Sequence, residues 1–361
     1  MNKKNILFPF DGVSLGGSHL CALKIIDGLK KSKEFNPIVI IEKKGILTKI
    51  LKKKKIEFKS LNSEHYQSDR SVFINLYYLV RFFYKRIKFL NENDISLIHT
   101  NEYRILNTWA IVSFIKKIKI IHHCRSPYKK SLFLKINLKL SDNLIVISKH
   151  VKESFKKEKI NKSTKLIYDS FDLIKKKIKK NNNNKIKKIG FFGNYKSIKR
   201  PLIFFKICEK LLIDSPNYQF VYVGKINDIE KKKIEKDFPV VFSKLNIINY
   251  TFEPKNIIEK LDLLICPSVD EGFGRLPVEA ASLGVLSLVS NNSGHKDYID
   301  KGFCVKCKVD DVDDFYKNAK IYIDFKINNL IKKNVDKFIL SSLLEKKNLL
   351  KIKKVYKKLI F

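Results

Sequence analysis

The hydrophobic pattern of the chain alternates between two periods. Short apolar runs are separated by longer lysine-rich stretches whose apolar residues return at helical spacing. The runs are "NILFPF", "PIVII", "SLIHT", "IKIIHHC" and "NLIVIS" in the first half, then "KIGFFG", "QFVYVG", "LDLLICPS" and "VLSLVS" in the second. Near-continuous apolar runs mark strands covered on both faces, and strands separated by helices pair in parallel. The pattern therefore predicts an α/β fold built from two doubly wound units. "LIKKKIKKNNNNKIKK" breaks it with an asparagine run and dense lysines. A linker is expected there, at 174–187, between a first domain at 1–173 and a second at 188–340. The remaining segment, 341–361, carries Leu343, Leu344, Leu349, Leu350, Ile352, Val355, Tyr356 and Leu359 at helical spacing, so it predicts a helix with one apolar face to cover.

Composition changes this picture little. With 361 residues the chain is long enough for two cores and a cleft. Its net charge of +38, from 74 basic against 36 acidic residues, would ordinarily point to nucleic acid or an anionic membrane. Lysine is spread evenly, however, and arginine, the preferred reader of phosphates and bases, is scarce. Nucleic acid is therefore not the expected partner. The six cysteines are scattered, and the single CxxC, Cys304 and Cys307, reads better as two thiols on a short buried strand and its turn than as a zinc or redox site. Free thiols fit a reducing cytoplasm. Pro9 and Asp11 interrupt the first apolar run too early for a signal peptide, and no apolar run reaches the roughly 18 residues of a membrane span.

Chemistry concentrates in "PSVDEGFGRLPVEAASLGV". A buried strand is followed by a glycine turn and by a short helix that tolerates Pro277 in its first turn and stops at Gly284. Such a turn offers backbone N–H groups and a positive dipole end to an anion. Glu279, a turn further on, sits among small and apolar residues where an unpaired carboxylate is expensive, so a ligand with adjacent hydroxyls would satisfy it. Ligands of open α/β sheets collect beyond the carboxyl ends of the strands, which brings "DGVSLGGSHL" and "GNYKSIKRP" to the mouths of their units. "DDVDD", 310–314, contains a DxD, but acids complementing a helix N-terminus are the better account than a metal site. In "SVFINLYYLVRFFYKRIKFL" most apolar residues are expected in the core, with Arg81, Lys85, Arg86 and Lys88 on a basic side that can rest on anionic headgroups.

These segments, in this order, resemble the retaining family 4 glycosyltransferases of GT-B fold: the glycine loop "FDGVSLGGSHLCALKIIDGL", the segment "SDNLIVISKHVKESF", the donor loop "IGFFGNYKSIKRP" and the E-x7-E region from Pro267 onward. The resemblance covers nearly the whole chain. It implies two Rossmann-like lobes, a first for the acceptor and a second for the nucleotide sugar, with a cleft between them and the last helix crossing back to the first lobe. Carried over by position, Glu279 would bind the nucleotide ribose and Glu271 would sit beside the transferred sugar. Backbone groups from Gly272 through Phe273, Gly274 and Arg275 to Leu276 would meet sugar and diphosphate. Lys199 would face the diphosphate, and Gly16 with Gly17 would close over it.

Two departures stand out. Asn194 follows Gly193 where the family usually has arginine, so Arg200 or Arg275 would supply that charge. The acceptor-side histidine falls on Arg125 or on His123, which strand alternation points the same way, and both stay open. The implied activity is transfer of a hexosyl group from a nucleotide-diphosphate sugar to an envelope polysaccharide or a lipid-linked saccharide. It needs no metal or other cofactor and would take place in the cytoplasm or on the inner face of the membrane. The rival readings are a GT-B-like protein without activity and a basic nucleic-acid-binding protein.

Overall fold

The computed structural model describes residues 2–157, 160, 162–174, 186–249, 251, 253–323 and 328–361. The chain divides into two compact units, one holding the residues up to Phe171 together with Leu343–Phe361, the other Asp172–Ser342. Most of the expected linker, 175–185, lies outside the described residues.

In the first unit the strands are β1 (Lys4–Phe10), β2 (Phe35–Ile41), β3 (Lys59–Ser60), β4 (Ile95–Thr100), β5 (Lys119–Cys124), β6 (Asn143–Val146) and β7 (Thr164–Leu166). They form one parallel sheet in the order β3-β2-β1-β4-β5-β6-β7. Chain direction across the sheet reverses between β1 and β4, which makes that junction the crevice where such sheets take ligands. One face of the sheet packs through Ile6, Phe8, Leu97, Ile121 and Ile145 against the helix Gly17–Lys30 and the last helix, Glu345–Ile360. That last helix buries Ile352, Val355 and Tyr356 and leaves Leu350 exposed, so the apolar stripe is narrower than the sequence pattern suggested. Burying each such side chain stabilises by about 1.5–3 kcal/mol. Gly28 permits the close approach, because a Cβ there would stand 2.5 Å from Leu349 Cδ2. The segment is anchored at its start by Asn348, whose side chain donates to the Tyr168 carbonyl at 2.9 Å.

The helix Val72–Arg81 reverses the expectation of a core face. Val72, Phe73, Leu76, Tyr77 and Val80 are all more than half exposed. Its inner side is held by a polar residue: Asn75, buried, accepts from the Gln67 N–H at 2.9 Å and donates to the Gln67 carbonyl at 2.8 Å. Arg86, counted with the basic side in the sequence, is instead fully buried. It donates to Glu42 at 3.0 Å and to the Glu64 carbonyl at 2.6 Å, and Glu42 also accepts from Trp109 Nε1 at 2.7 Å. A buried guanidinium requires a paired carboxylate, and β2 ends where Glu42 can supply one.

The second unit has β8 (Lys187–Phe192), β9 (Tyr218–Val223), β10 (Leu245–Ile248), β11 (Leu263–Cys266), β12 (Leu286–Ser290) and β13 (Val305–Cys307), all parallel, in the order β10-β9-β8-β11-β12-β13. Its reversal point lies between β8 and β11. Cys304 and Cys307 are buried free thiols at β13, and Asp311 caps the helix Val312–Tyr322 by accepting from the Asp314 N–H at 2.9 Å.

Candidate active site

The loops that follow β8 and β11 meet at the reversal point of the second unit. After β8 the chain passes Gly193 and Asn194 and turns through Ser197–Lys199, and the Val269 N–H donates to the Ile198 carbonyl at 2.8 Å, tying this turn to the loop after β11. The stem of Lys199 lies against Gly193, where a Cβ would stand 3.1 Å from its Cγ. Lys199 thereby reaches Glu271, and the two form an ion pair. Burial pushes the Glu271 carboxyl up, but the Lys199 ammonium, with His295 and a hydrogen bond from Ser268, outweighs it and holds the group below the usual carboxylate range. The Glu271 carboxyl is therefore ionised at neutral pH.

Beyond Glu271 the glycine turn is shaped from behind. Gly294 donates to the Glu271 carbonyl at 2.9 Å, Ser293 Oγ accepts from the Glu271 N–H at 3.1 Å, and the Tyr298 hydroxyl donates to the Gly274 carbonyl at 2.6 Å. Gly274 has φ 74°, and a Cβ there would meet the His295 ring at 2.4 Å, so only glycine fits. The helix Arg275–Ser282 starts at once, and no side chain caps it. Its positive dipole end therefore follows directly on the turn from Glu271 to Gly274. The Phe273 side chain is buried edge-on against Tyr298, ring centroids 5.2 Å apart, so only its backbone is available to a ligand; Leu276 is half-buried.

Two of the expected charges and one amide sit otherwise than foreseen. Glu279 is not an unpaired buried acid: its side chain is 21% exposed and accepts from Arg275 at 3.1 and 3.2 Å, because the two lie four residues apart on one helix face. Arg200, in a left-handed conformation with φ 54°, is bound at two points by Asp310, at 2.7 and 3.0 Å. Asn194 is exposed and accepts from the Lys225 N–H at 3.0 Å. Lys199 is the candidate that pairs with Glu271.

In the first unit the loop after β1 is organised by Asp11, fully buried. It accepts from the N–H groups of Val13 and Ser14 at 3.1 Å each, from Ser14 Oγ at 2.6 Å and from Arg104 at 3.1 Å. Gly16 caps the helix Gly17–Lys30, and the space where its Cβ would stand has no described atom within 4 Å, so the loop is open there. Asp11, His19 and Glu102 gather within 4.8 Å, but Asp11 already holds Arg104 and His19 lies against Glu102, so the cluster is accounted for by its own polar contacts.

A cavity of about 640 Å³ opens beside it, lined among others by Tyr66, Asn101, Glu102, Tyr103, His122 and Arg125. His123 does not line it. His123 and Ile121 share the core face of β5, whereas His122 takes the opposite face and hydrogen-bonds Thr100 at 2.8 Å. Arg125, just past the strand end, reaches the cavity, and His123 touches its guanidinium from behind at 3.4 Å. Strand alternation stops at Cys124, which is why extending it to Arg125 misled. Asn101, Glu102, Tyr103 and His122 were not singled out in the sequence; their only signal was position just after β4 or at the end of β5.

Residues 172–325 match the family model described as glycosyl transferases group 1. Over 166 residues the chain is 27% identical to the UDP-Gal:alpha-D-GlcNAc-diphosphoundecaprenol alpha-1,3-galactosyltransferase of Escherichia coli, a match covering 44% of this chain and 42% of that enzyme. The match thus spans less than half the length of this curated relative. Among solved structures, the Anabaena protein HepE in complex with UDP-glucose superimposes with a TM-score of 0.77 at 16% identity, over 98% of this chain and 99% of that one. A glycosyltransferase from Rickettsia africae ESF-5 gives 0.80 at 17% identity, over 100% and 99%. The chain has the GT-B fold and resembles the group 1 glycosyltransferases.

Proposed function

We propose that the chain is a retaining glycosyltransferase that takes a hexosyl group from a nucleotide-diphosphate sugar and passes it to a saccharide of the cell envelope, free or lipid-linked. The observation that carries the reading is the meeting of Lys199 and Glu271 at the reversal point of the second sheet, beside an uncapped helix start. Breaking the bond from the anomeric carbon to phosphate builds negative charge on the departing diphosphate. In this reading Lys199 and the N–H groups from Gly272 to Leu276 would meet that charge, and donors held in advance where charge develops lower such barriers most. Glu271 holds the sugar through its hydroxyls, and Glu279 accepts from the ribose. The acceptor attacks on the face the diphosphate leaves, and a phosphate oxygen takes its proton, so no covalent bond to Glu271 and no metal enter the mechanism.

Arg125 serves the acceptor side from the cavity of the first unit. The UDP-glucose bound by HepE and the UDP-Gal named for the Escherichia coli enzyme make uridine sugars the first donors to test.

The proposal extends to a contact with an anionic membrane surface. Its support is the outward apolar stripe Val72, Phe73, Leu76, Tyr77 and Val80, flanked by exposed Arg81, Lys85 and Lys88, with no acidic residue from 71 to 91. No helix among the described residues is long and apolar enough to cross a membrane, so the contact would be interfacial. The expected result is sedimentation with anionic vesicles that is lost in a Phe73→Asp/Leu76→Asp variant; equal recovery with neutral and anionic vesicles would remove the contact.

The transferase reading itself is tested by release of nucleoside diphosphate from a panel of nucleotide sugars. Release from one or a few donors supports it. Tight donor binding without release favours a GT-B protein that has lost activity.

A further inference from the structure

Three residues far apart in the sequence, His99 on β4, His123 on β5 and Tyr356 on the last helix, form a buried polar line that ends at Arg125. All three are at most 1% exposed. The Tyr356 hydroxyl is hydrogen-bonded to His99 Nδ1; His99 Nε2 lies 3.3 Å from His123 Nδ1; and His123 Nδ1 lies 3.4 Å from Arg125 Nη2.

The direction of every bond follows from Arg125. A guanidinium only donates, so His123 Nδ1 must accept, and the His123 proton is on Nε2. His99 Nε2, facing the same lone pair, must then carry a proton and donate. Its Nδ1 is left as an acceptor, and Tyr356 supplies the O–H. Burial and the Arg125 charge both keep the two imidazoles neutral, and burial keeps the Tyr356 hydroxyl protonated. The arrangement has a visible cost. His123 Nε2 finds no partner among the described residues, so its proton is left unsatisfied in the core. The chain accepts an orphan donor in its core and thereby offers Arg125 an acceptor.

We propose that Tyr356 and His99 are positioning residues for Arg125. Asp169 and Asn101 hold one edge of the guanidinium, Asn101 accepting at 3.3 Å, and His123 adds a third point that fixes its rotation toward the cavity. His99 and Tyr356 set the lone pair that makes this third point possible. The last helix then belongs to the acceptor side as well as to the core of the first unit. This inference rests on the role given to Arg125 above.

The test uses the full chain and two readouts. Nitrogen NMR of protein labelled with 15N at histidine and arginine, at pH 7, should show His99 and His123 neutral with the proton on Nε2, and Tyr356→Phe should shift His99, His123 and the Arg125 Nη signals together. A proton on His123 Nδ1, or a change confined to His99, overturns the proposal whether or not the transferase reading holds. In transfer assays with whichever donor the wild type uses, Tyr356→Phe should lower kcat about tenfold and leave the donor KM unchanged. The double variant Tyr356→Phe/His99→Leu, which removes the stranded acceptor too, should regain thermal stability but not kcat. Recovery of both together would make the line merely structural.

Discussion

Lowering the pH from 7.5 to 5 should destabilise the first unit, and the reason is three histidines. His99, His122 and His123 are all at most 1% exposed. Burial comes first and the nearby Arg125 charge second in pushing all three below the ordinary 6.5, His122 to about 3. The other neighbours do not relieve this: Phe8 and Tyr356 bracket His99, and Thr100 and Tyr103 contact His122. Above pH 6.5 neither the folded nor the unfolded chain protonates these rings, and they cost nothing. Below it the unfolded chain binds protons that the folded chain refuses, so stability falls as pH falls.

Each ring contributes about 1.4 kcal/mol per pH unit until its folded pKa is reached. For His122 the interval from 6.5 to about 3 is worth roughly 5 kcal/mol at most. Together the three give a slope approaching ~4 kcal/mol per pH unit near pH 5. A domain is typically stable by only about 5–15 kcal/mol. The chain has one tryptophan, Trp109, fully buried in the first unit, so its fluorescence in urea titrations reports on that unit alone. The urea midpoint should drop steeply between pH 6.5 and 5. A midpoint that stays level over that range would refute the claim that the rings are buried neutral.

Arg86→Leu should destabilise the first unit by about 3–5 kcal/mol, since it strands the Glu42 carboxylate in the core; the same Trp109 titration measures it, and a loss under about 1 kcal/mol would contradict the burial described. Glu279→Gln should weaken nucleoside-diphosphate binding by roughly 0.5–2 kcal/mol through loss of charge-assisted bonds to ribose. Its effect on stability should be slight, because the Arg275 pair is a partly exposed helical one; calorimetric titration reads the first effect and thermal melting the second.

The parts of the fold that the sequence made legible are those covered on both faces. Every apolar run read as a strand became one, and the glycine turns fell at the strand ends where the reversal points need them. β3, β7 and β10 were missed, and β13 was suggested only by its cysteine pair; these four are the edges of the two sheets. An edge strand is short and half-exposed, so its residues need not be apolar and no period marks it. The helix Val72–Arg81 was misjudged for a related reason. Periodicity reports that a helix has an apolar face but not which way it turns, and here Asn75 and Leu79 are the inward residues while the apolar stripe faces out. Arg86 and the line from Tyr356 to Arg125 depend on partners tens to hundreds of residues away, which spacing along the chain does not encode.

On the proposed reading Lys199 and Glu271 mark a diphosphate and sugar site. The most direct measurement of this is the affinity of wild type and Lys199→Met for nucleoside diphosphates and the matching monophosphates, UDP and UMP first. The variant removes the ammonium paired with Glu271, which on the proposed reading would face the leaving group, and leaves the carboxylate to repel it. Charge-assisted contacts are worth about 1.5–3 kcal/mol each, so the diphosphate Kd should rise about 10- to 150-fold. The monophosphate should lose much less. Equal affinity of both proteins for every diphosphate that the wild type binds, with the variant folded, would contradict the account.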